Sequence, residues 1–155
     1  MIDSHFIPSL KSIATGQAQQ ERLLESGGIA TGYHGTSASA ARSILEAGFR
    51  NSHPTRLDQS SAVYFTDGDN EKCLAGAQSY GINKALWNNE REYAVFRASF
   101  RSPEPDFMTG QSIWAVQAQN IIKYSVEFYA VPQEIQPTFL MKLIQRCPVL
   151  GLLRF

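Results

Sequence analysis

The stretch that decides the fold runs from residue 32 to residue 49 and reads GYHGTSASAARSILEAGF. Its start, up to Tyr33, is compatible with a β-strand, which His34 and Gly35 are expected to end. A polar His-Gly-Thr group at a strand end is unusual. Glycine there lets a ligand approach the backbone closely, while the imidazole of His34 donates or accepts a hydrogen bond. The stretch therefore predicts a binding site at the end of the first strand.

The second half of the same stretch predicts a helix with a start and a stop. Thr36 or Ser37 can cap its first turn, because a short hydroxyl side chain accepts from a free backbone N–H there. Residues 38–47 contain neither proline nor glycine, and their apolar members form one stripe. Gly48 stands where a helix end needs a positive φ, and Phe49 is the apolar residue that often follows.

Length and charge limit the possible classes of protein. The chain has 155 residues, 43% of them hydrophobic, which predicts a single domain with a real core. The formal net charge is +0 and the pI is about 6.8, so neither a nucleic acid nor an anionic membrane is an expected partner.

Cysteine content and hydropathy bear on the compartment. Cys73 and Cys147 are too few and too far apart to indicate a disulfide framework or a zinc site, and no metal is expected. No run reaches the roughly 18 apolar residues of a membrane span. The first 20 residues lack the apolar core of a signal peptide. We expect a cytoplasmic protein, or one delivered into a host cell by a dedicated secretion system.

The remaining pattern is helical early and alternating late, which predicts an α+β domain and not an alternating βαβ fold. Residues 1–28 form a predicted helical lead-in, with the best helix formers at 17–25. Further helices are predicted at 38–47 and 71–85, and loops at 50–61 and 101–110. The predicted strands are 29–33, 62–66, 93–100, 112–116 and 123–131. The tail, 137–155, mixes helix-forming and apolar residues.

Three segments together resemble a known family. They are YHGTS at 33–37, SILEAGF at 43–49 and AVYFTD at 62–67. In order and spacing they are similar to the catalytic core of the ADP-ribosyltransferases of the diphtheria-toxin type, which include the poly(ADP-ribose) polymerases. The resemblance extends over residues 31–131. It implies a split antiparallel β-sheet core with flanking helices, formed by residues 29–155.

The resemblance also implies a substrate and its binding residues. In that family a His-Gly pair on one strand and a tyrosine on the next hold NAD, and a glutamate on a third strand completes a His-Tyr-Glu set. His34 and Tyr64 match the first two positions, and Tyr80 matches a second stacking tyrosine. Ala77 takes the place of a serine that often binds the nicotinamide carboxamide. The implied NAD-binding residues are His34, Gly35, Thr36, Ser37, Tyr64 and Tyr80.

The third catalytic position departs from the family pattern. Gln111 or Ser112 falls where the glutamate belongs, and neither is a carboxylate. We assign Gln111 to the catalytic set; it can hydrogen-bond a ribose but cannot stabilise positive charge as an anion does. Synthesis of poly(ADP-ribose) chains is therefore not expected. Glu90, Glu92 and Glu104 lie nearby in sequence, and no spacing argument selects one of them.

Three functions fit these residues. The first is a mono-ADP-ribosyltransferase that transfers ADP-ribose from NAD to a protein acceptor, as a bacterial effector or toxin does. The second is an inactive module that binds NAD, ADP-ribose or a protein, which the missing carboxylate favours. The third is an RNA 2′-phosphotransferase-like enzyme, which also has a His-Gly-Thr strand. That enzyme needs several arginines around a phosphate and a basic surface for RNA, and the neutral charge argues against it.

Overall fold

The computed structural model describes residues 10–52, 61–106, 112–138 and 141–142. In these ranges it has three α-helices, six β-strands and a short 3₁₀ helix at Ala118–Asn120. The helices are α1 (Leu10–Glu25), α2 (Ala38–Ala47) and α3 (Glu71–Trp87). The strands are β1 (Ile29–Ser37), β2 (Val63–Thr66), β3 (Glu92–Arg101), β4 (Glu104–Pro105), β5 (Ile113–Val116) and β6 (Ile121–Ala130).

The described strands form two separate antiparallel sheets. The first sheet has the order β1-β3-β6, and the second has the order β2-β5-β4. Helices alternate with strands from α1 to β3, and β4, β5 and β6 follow without a further α-helix in the described residues. All strand pairs within the two sheets are antiparallel, so the fold is mixed α/β with antiparallel sheets, which confirms the α+β prediction. No helix in the described part of the chain is long and apolar enough to cross a membrane.

Strand β1 is longer than its sequence predicts. His34 and Gly35 do not end it: the strand continues to Ser37, directly before α2. The reason lies in tertiary pairing, because all nine residues of β1 face β3, from Ile29 opposite Arg101 to Ser37 opposite Tyr93. A paired neighbour thus keeps the polar residues extended where local sequence predicts a turn.

Helix α2 begins and ends as its sequence predicts. Ser37 is the N-cap, and its hydroxyl accepts a hydrogen bond of 3.3 Å from the N–H of Ala40. Gly48 ends the helix at φ 81°, with its N–H donating to the carbonyl of Ile44 at 2.7 Å. That backbone conformation favours glycine.

The two sheets pack against each other through aromatic side chains. Phe65 of β2 and Trp114 of β5 are buried against Phe100 of β3, and the rings of Phe65 and Phe100 are 4.8 Å apart. Phe49, just after α2, joins this core, with its ring centroid 5.0 Å from that of Phe96. Helix α2 covers the same face of the first sheet, where Ala41 is fully buried.

Helix α3 packs on the opposite face of the first sheet through small residues. Ala77, Gly81 and Ala85 are buried there. A Cβ added at Gly35 would lie 1.8 Å from the carbonyl oxygen of Ala77 and 2.9 Å from the amide nitrogen of Gly81. Glycine at position 35 is therefore required for the helix to lie directly on β1.

A second glycine allows β2 to approach β1. A Cβ at Gly32 would lie 2.1 Å from the carbonyl oxygen of Thr66. The hydroxyl of Thr66 also accepts a 2.8 Å hydrogen bond from the amide of Tyr33. Strand β1 thus contacts β2 near its middle and α3 near its end.

Helix α1 contacts the second sheet. The buried Gln19 donates from Nε2 to the carbonyl of Ile113 at 3.0 Å, and Arg22 forms an ion pair with Asp67 just after β2. Leu23 packs against the aromatic core of the second sheet. The helix begins at Leu10, earlier than the run at 17–25 that has the best helix formers.

The other boundaries differ by small amounts. Helix α3 ends at Trp87, two residues beyond the predicted end, and β6 starts two residues early. Strand β4 lies inside the predicted 101–110 loop, because its two residues pair with β5 and not with a sequence neighbour. Most of the predicted loop 50–61 and of the predicted tail 137–155 lies outside the described residues.

Candidate functional site

The site is built around the junction between β1 and β2. His34 of β1 hydrogen-bonds through Nδ1 to the backbone carbonyl oxygen of Tyr64 on β2, at 2.8 Å. A carbonyl only accepts, so Nδ1 carries the proton. The two residues that the sequence singles out as a pair are thus joined directly, although through the backbone of Tyr64 and not its ring.

The imidazole of His34 lies in an aromatic environment. Its ring centroid is 5.6 Å from that of Phe65 and 5.8 Å from that of Phe49. Desolvation by burial lowers the pKa of His34 below its ordinary value, and the charge of Lys84 lowers it further. The hydrogen bond to the Tyr64 carbonyl raises the pKa, but by less than desolvation lowers it. The ring is therefore held neutral near neutral pH.

This protonation state determines what His34 can offer a ligand. With the proton on Nδ1, the other ring nitrogen, Nε2, has a free lone pair and is an acceptor. Within the described ranges no protein group hydrogen-bonds to Nε2. A hydroxyl donor of a ligand would complete the hydrogen bonding of this half-buried ring.

Gly35 presents its backbone at the free edge of β1. The amide of Tyr33 points away from β3, because it donates to Thr66. Residues two apart on a strand direct their N–H and C=O to the same edge, so those of Gly35 also point away from β3. No other described residue hydrogen-bonds to them. An adjacent donor and acceptor at one strand edge match the two hydrogen-bonding groups of a carboxamide.

The side chain of Tyr64 lies on the outer face of the second sheet. Val63 and Phe65 are buried in the core, and side chains alternate along a strand, so Tyr64 shares the other face with Thr66. Tyr64 is half-buried there. The hydroxyl of Thr66 contacts the free edge of β1, at the amide of Tyr33. Tyr64 is on the same face of β2 as Thr66, so its side chain lies on the side of β2 from which a ligand would reach that edge.

Helix α3 provides the third side of this region. Ala77 is buried where the helix crosses Gly35, and Tyr80 follows one turn later with 54% of its surface exposed. The ammonium of Lys84 lies 5.4 Å from the ring centroid of Tyr80. Ala77 brings no hydroxyl to the position where the resembling family often has a serine.

Thr36 and Ser37 lie where β1 meets α2. Both side chains are buried. The hydroxyl of Ser37 caps α2 and also accepts from Nδ2 of Asn88 at 3.3 Å. The resemblance implies that both residues bind NAD, and this stays a prediction.

The third catalytic position is only partly described. Gln111 lies outside the described residues. Ser112 is exposed just before β5, and its carbonyl accepts a 3.1 Å hydrogen bond from the amide of Asp67. The start of β5 therefore lies beside the end of β2, where the family pattern expects the third residue.

The structure distinguishes the three nearby carboxylates, which the sequence alone does not. Glu90 is occupied at the start of α2, where it accepts from the N–H and hydroxyl of Ser39 at 3.0 and 2.8 Å. Glu92 forms an exposed ion pair with Arg42 at 3.2 Å. Neither carboxylate is on the second sheet.

Glu104 is placed differently. It pairs with Ala115, which pairs in turn with Tyr64, so the three residues form one row across the second sheet. Directly paired residues share a face, so the side chain of Glu104 is on the Tyr64 face, and the backbones of the two residues are about 10 Å apart across two strand spacings. Only the small Ala115 stands between them. No spacing in the sequence signals this, because it follows from the pairing of β4.

The described residues contain no group of three or more His, Cys, Asp or Glu that could hold a metal ion. The sequence matches no model of a known protein family, and it matches no curated protein.

Proposed function

We propose that the chain is an NAD-dependent mono-ADP-ribosyltransferase with an ADP-ribosyltransferase-like split-sheet fold. It transfers ADP-ribose from NAD to a protein acceptor and releases nicotinamide. The observation that carries the proposal is the β1–β2 junction: His34 is bound to the Tyr64 carbonyl, and the adjacent Gly35 has its N–H and C=O at a free strand edge. The motif resemblance over residues 31–131 agrees with it.

In this proposal Gly35 binds the nicotinamide end of NAD. Its N–H donates to the carboxamide oxygen and its C=O accepts from the carboxamide nitrogen. The ring of Tyr64 stacks on the nicotinamide, and Tyr80 covers it from α3. The positions of Tyr64 on the outer face of β2 and of the exposed Tyr80 one turn past Ala77 support this arrangement.

His34 binds a ribose hydroxyl of NAD through Nε2. The Nδ1 hydrogen bond to Tyr64 fixes the ring and selects the tautomer that makes Nε2 an acceptor. The lowered pKa keeps this acceptor available at neutral pH. His34 therefore contributes twice, as a ligand for the ribose and as the residue that holds β2 against β1.

The transfer breaks the bond between C1′ of the ribose and the nicotinamide nitrogen. Both electrons of that bond leave with nicotinamide, and positive charge develops on the ribose. A nucleophilic atom of the acceptor protein then bonds to C1′ and loses its proton to solvent. An anion near the ribose would stabilise the charge, and Glu104 is the carboxylate that shares a face with Tyr64. Gln111 contributes a neutral hydrogen bond.

A second function is favoured by one specific observation. Two of the three nearby carboxylates are used elsewhere, Glu90 at the start of α2 and Glu92 with Arg42. If Glu104 does not reach the ribose, the same residues would bind NAD or ADP-ribose without transfer. The phosphotransferase needs several arginines around a phosphate, and only Arg42, Arg50 and Arg56 are close in sequence to the His-Gly-Thr strand. Arg42 is paired with Glu92, Arg50 is exposed, and Arg56 lies outside the described residues, so no observation favours this function.

The deciding experiment combines binding with turnover. Pure protein is incubated with labelled NAD and cell lysates, and label on protein and released nicotinamide are both measured. Millimolar NAD is expected to raise the melting temperature, because a ligand of the folded state stabilises it. Label on protein supports the transferase. Stabilisation without turnover supports the binding module, and neither effect would refute both.

Two variants of His34 separate its roles. In His34→Asn the amide NH₂ can still donate to the Tyr64 carbonyl, but nothing replaces Nε2. We expect this variant to fold and to lose transfer, whereas His34→Ala loses both the hydrogen bond and transfer. Tyr64→Phe keeps the stacking ring and should retain NAD binding that Tyr64→Ala loses. Normal transfer by His34→Asn would show that the ribose contact is wrong.

A further inference from the structure

Strand β6 has a long outer edge. It is an edge strand of the first sheet, pairs with β3 from Glu92 to Phe100, and has no partner on its other side among the described residues. Its residues from Lys123 to Ala130 pair regularly, and an irregularity separates them from Ile121. A long regular edge is a ready template for another strand.

This edge is apolar on one face and charged on the other. Tyr124 and Phe128 face α2 and remain 40% and 43% exposed, although Tyr124 also contacts Phe49 and Phe96. On the opposite face Lys123 and Glu127 are both exposed, four residues apart. The edge therefore has one positive and one negative side chain on a single face.

The directions of the backbone groups restrict how another strand can pair there. Tyr33 points its amide away from β3, so its partner Arg97 directs its own backbone groups toward β6, where they meet Ser125. Tyr124 and Val126 must then direct theirs outward. In an antiparallel pair of two β6 strands, residues whose backbone groups point outward stand opposite each other. The two-fold axis of the pair therefore passes through a residue position and not between two residues.

We propose that β6 is the site of homodimerisation, through antiparallel pairing with β6 of a second copy centred on Ser125. In this register Lys123 faces Glu127 of the second copy, and Glu127 faces its Lys123. Centring on Tyr124 or on Val126 makes neither pair. Only the Ser125 register is complementary in charge, and opposite charges directly across a strand pair are stabilising.

The other face of the dimer is also complementary. Tyr124 stands opposite Val126 of the second copy, which is a favourable aromatic–β-branched pair. Two three-stranded sheets then join into one sheet of six strands, a common size for a stable sheet. The candidate site lies on the free edge of β1, at the opposite side of the sheet, so dimerisation leaves it open.

A charge-reversal series tests the register. Sedimentation equilibrium should show a dimer for the native chain. Lys123→Glu and Glu127→Lys should each weaken the dimer about tenfold or more, since each makes two like-charge pairs. The double variant Lys123→Glu/Glu127→Lys should restore it. Lys72→Glu and Glu46→Lys, which change the charge of exposed helix residues, are the matched controls.

A cross-linking series locates the centre directly and does not depend on charge. It uses a chain with Cys73→Ser and Cys147→Ser. On this background Ser125→Cys places two thiols face to face at the symmetry axis, and mild oxidation should yield a disulfide-linked dimer. Glu127→Cys should not, because two such thiols would be about 13 Å apart along the strands. Circular dichroism checks that each variant is folded.

Each outcome of these two series either overturns or establishes the proposed dimer. A chain that stays monomeric at hundreds of micromolar overturns the proposal. So does a dimer that the single reversals leave unchanged, or that links through Glu127→Cys as readily as through Ser125→Cys. Weakening by both single variants, recovery in the double variant and selective linking at Ser125 together establish it.

Discussion

Gly35 lies directly beneath the backbone of Ala77, so close that a Cβ at position 35 would be 1.8 Å from the Ala77 carbonyl oxygen. The nearest atoms belong to the backbone of α3, not to a flexible side chain. At Gly35, therefore, no side chain of β1 separates the strand from α3.

This contact predicts a large difference between two glycine substitutions. Gly35→Ala should lower the free energy of unfolding by about 3 kcal/mol or more, because the helix must move to accept the methyl group. Gly76→Ala, on a face of α3 with nothing within 4 Å, should raise it by about 1 kcal/mol through helix propensity. Chemical denaturation measures both changes, and equal effects would contradict this close packing of α3 on β1.

The lowered pKa of His34 predicts a pH dependence of stability. Its pKa is lower in the folded chain than the ordinary value near 6.5, so below that value the unfolded chain binds more protons. The contribution of His34 is then fully present above about pH 6.5 and is lost as the pH falls toward the folded-state pKa.

His34→Asn is the variant that isolates this effect, since it cannot titrate. Denaturation at pH 7.5 and pH 5.5 should show a larger loss of stability in the native chain than in His34→Asn. Carboxylates that titrate are common to both chains and cancel in the comparison. Equal losses would mean that His34 is not desolvated.

Glu104→Gln tests the carboxylate that the sheet pairing selects. If the side chain stabilises the developing charge on the ribose, NAD turnover should fall about a hundredfold while NAD binding is kept. Glu46→Gln, on the exposed surface of α2, is the matched control. Unchanged turnover in Glu104→Gln would remove Glu104 from the mechanism, without bearing on NAD binding by Gly35 and Tyr64.

The third position is tested by restoring the anion. Gln111→Ala should lower transfer by about a hundredfold, the effect of one lost transition-state hydrogen bond. Gln111→Glu should raise NAD hydrolysis or permit longer chains, and Ser112→Glu tests the alternative register. If the native chain is active and both glutamate variants leave its turnover unchanged, the third motif is misplaced.

Local signals in the sequence predicted the parts of the fold that depend on local chemistry. The Ser37 cap, the positive φ of Gly48 and the short apolar β2 all follow from residue type within a few positions. The pairing of His34 with Tyr64 also has a sequence signal, but only through the resemblance. Its form, a ring nitrogen bound to a carbonyl, has none.

What the sequence could not predict depends on long-range pairing. The extension of β1 to Ser37 comes from β3, more than 50 residues away, and the placement of Glu104 comes from a two-residue strand with no periodicity to detect. The close contact of Gly35 with Ala77 could not be predicted either, because the close approach of a ligand explains a glycine at this position equally well.

The two halves of the candidate site differ in how firmly the fold holds them. Gly35 belongs to a nine-residue strand paired throughout and covered by α3, whereas Glu104 belongs to the shortest strand, at the edge of the second sheet. The amide hydrogens of β1 that bond to β3 should therefore exchange far more slowly than the amide hydrogen of Glu104, since local opening is cheapest where few contacts must break. Nicotinamide recognition would then survive mild denaturant or warming that already releases the carboxylate, so catalysis would fail before binding does.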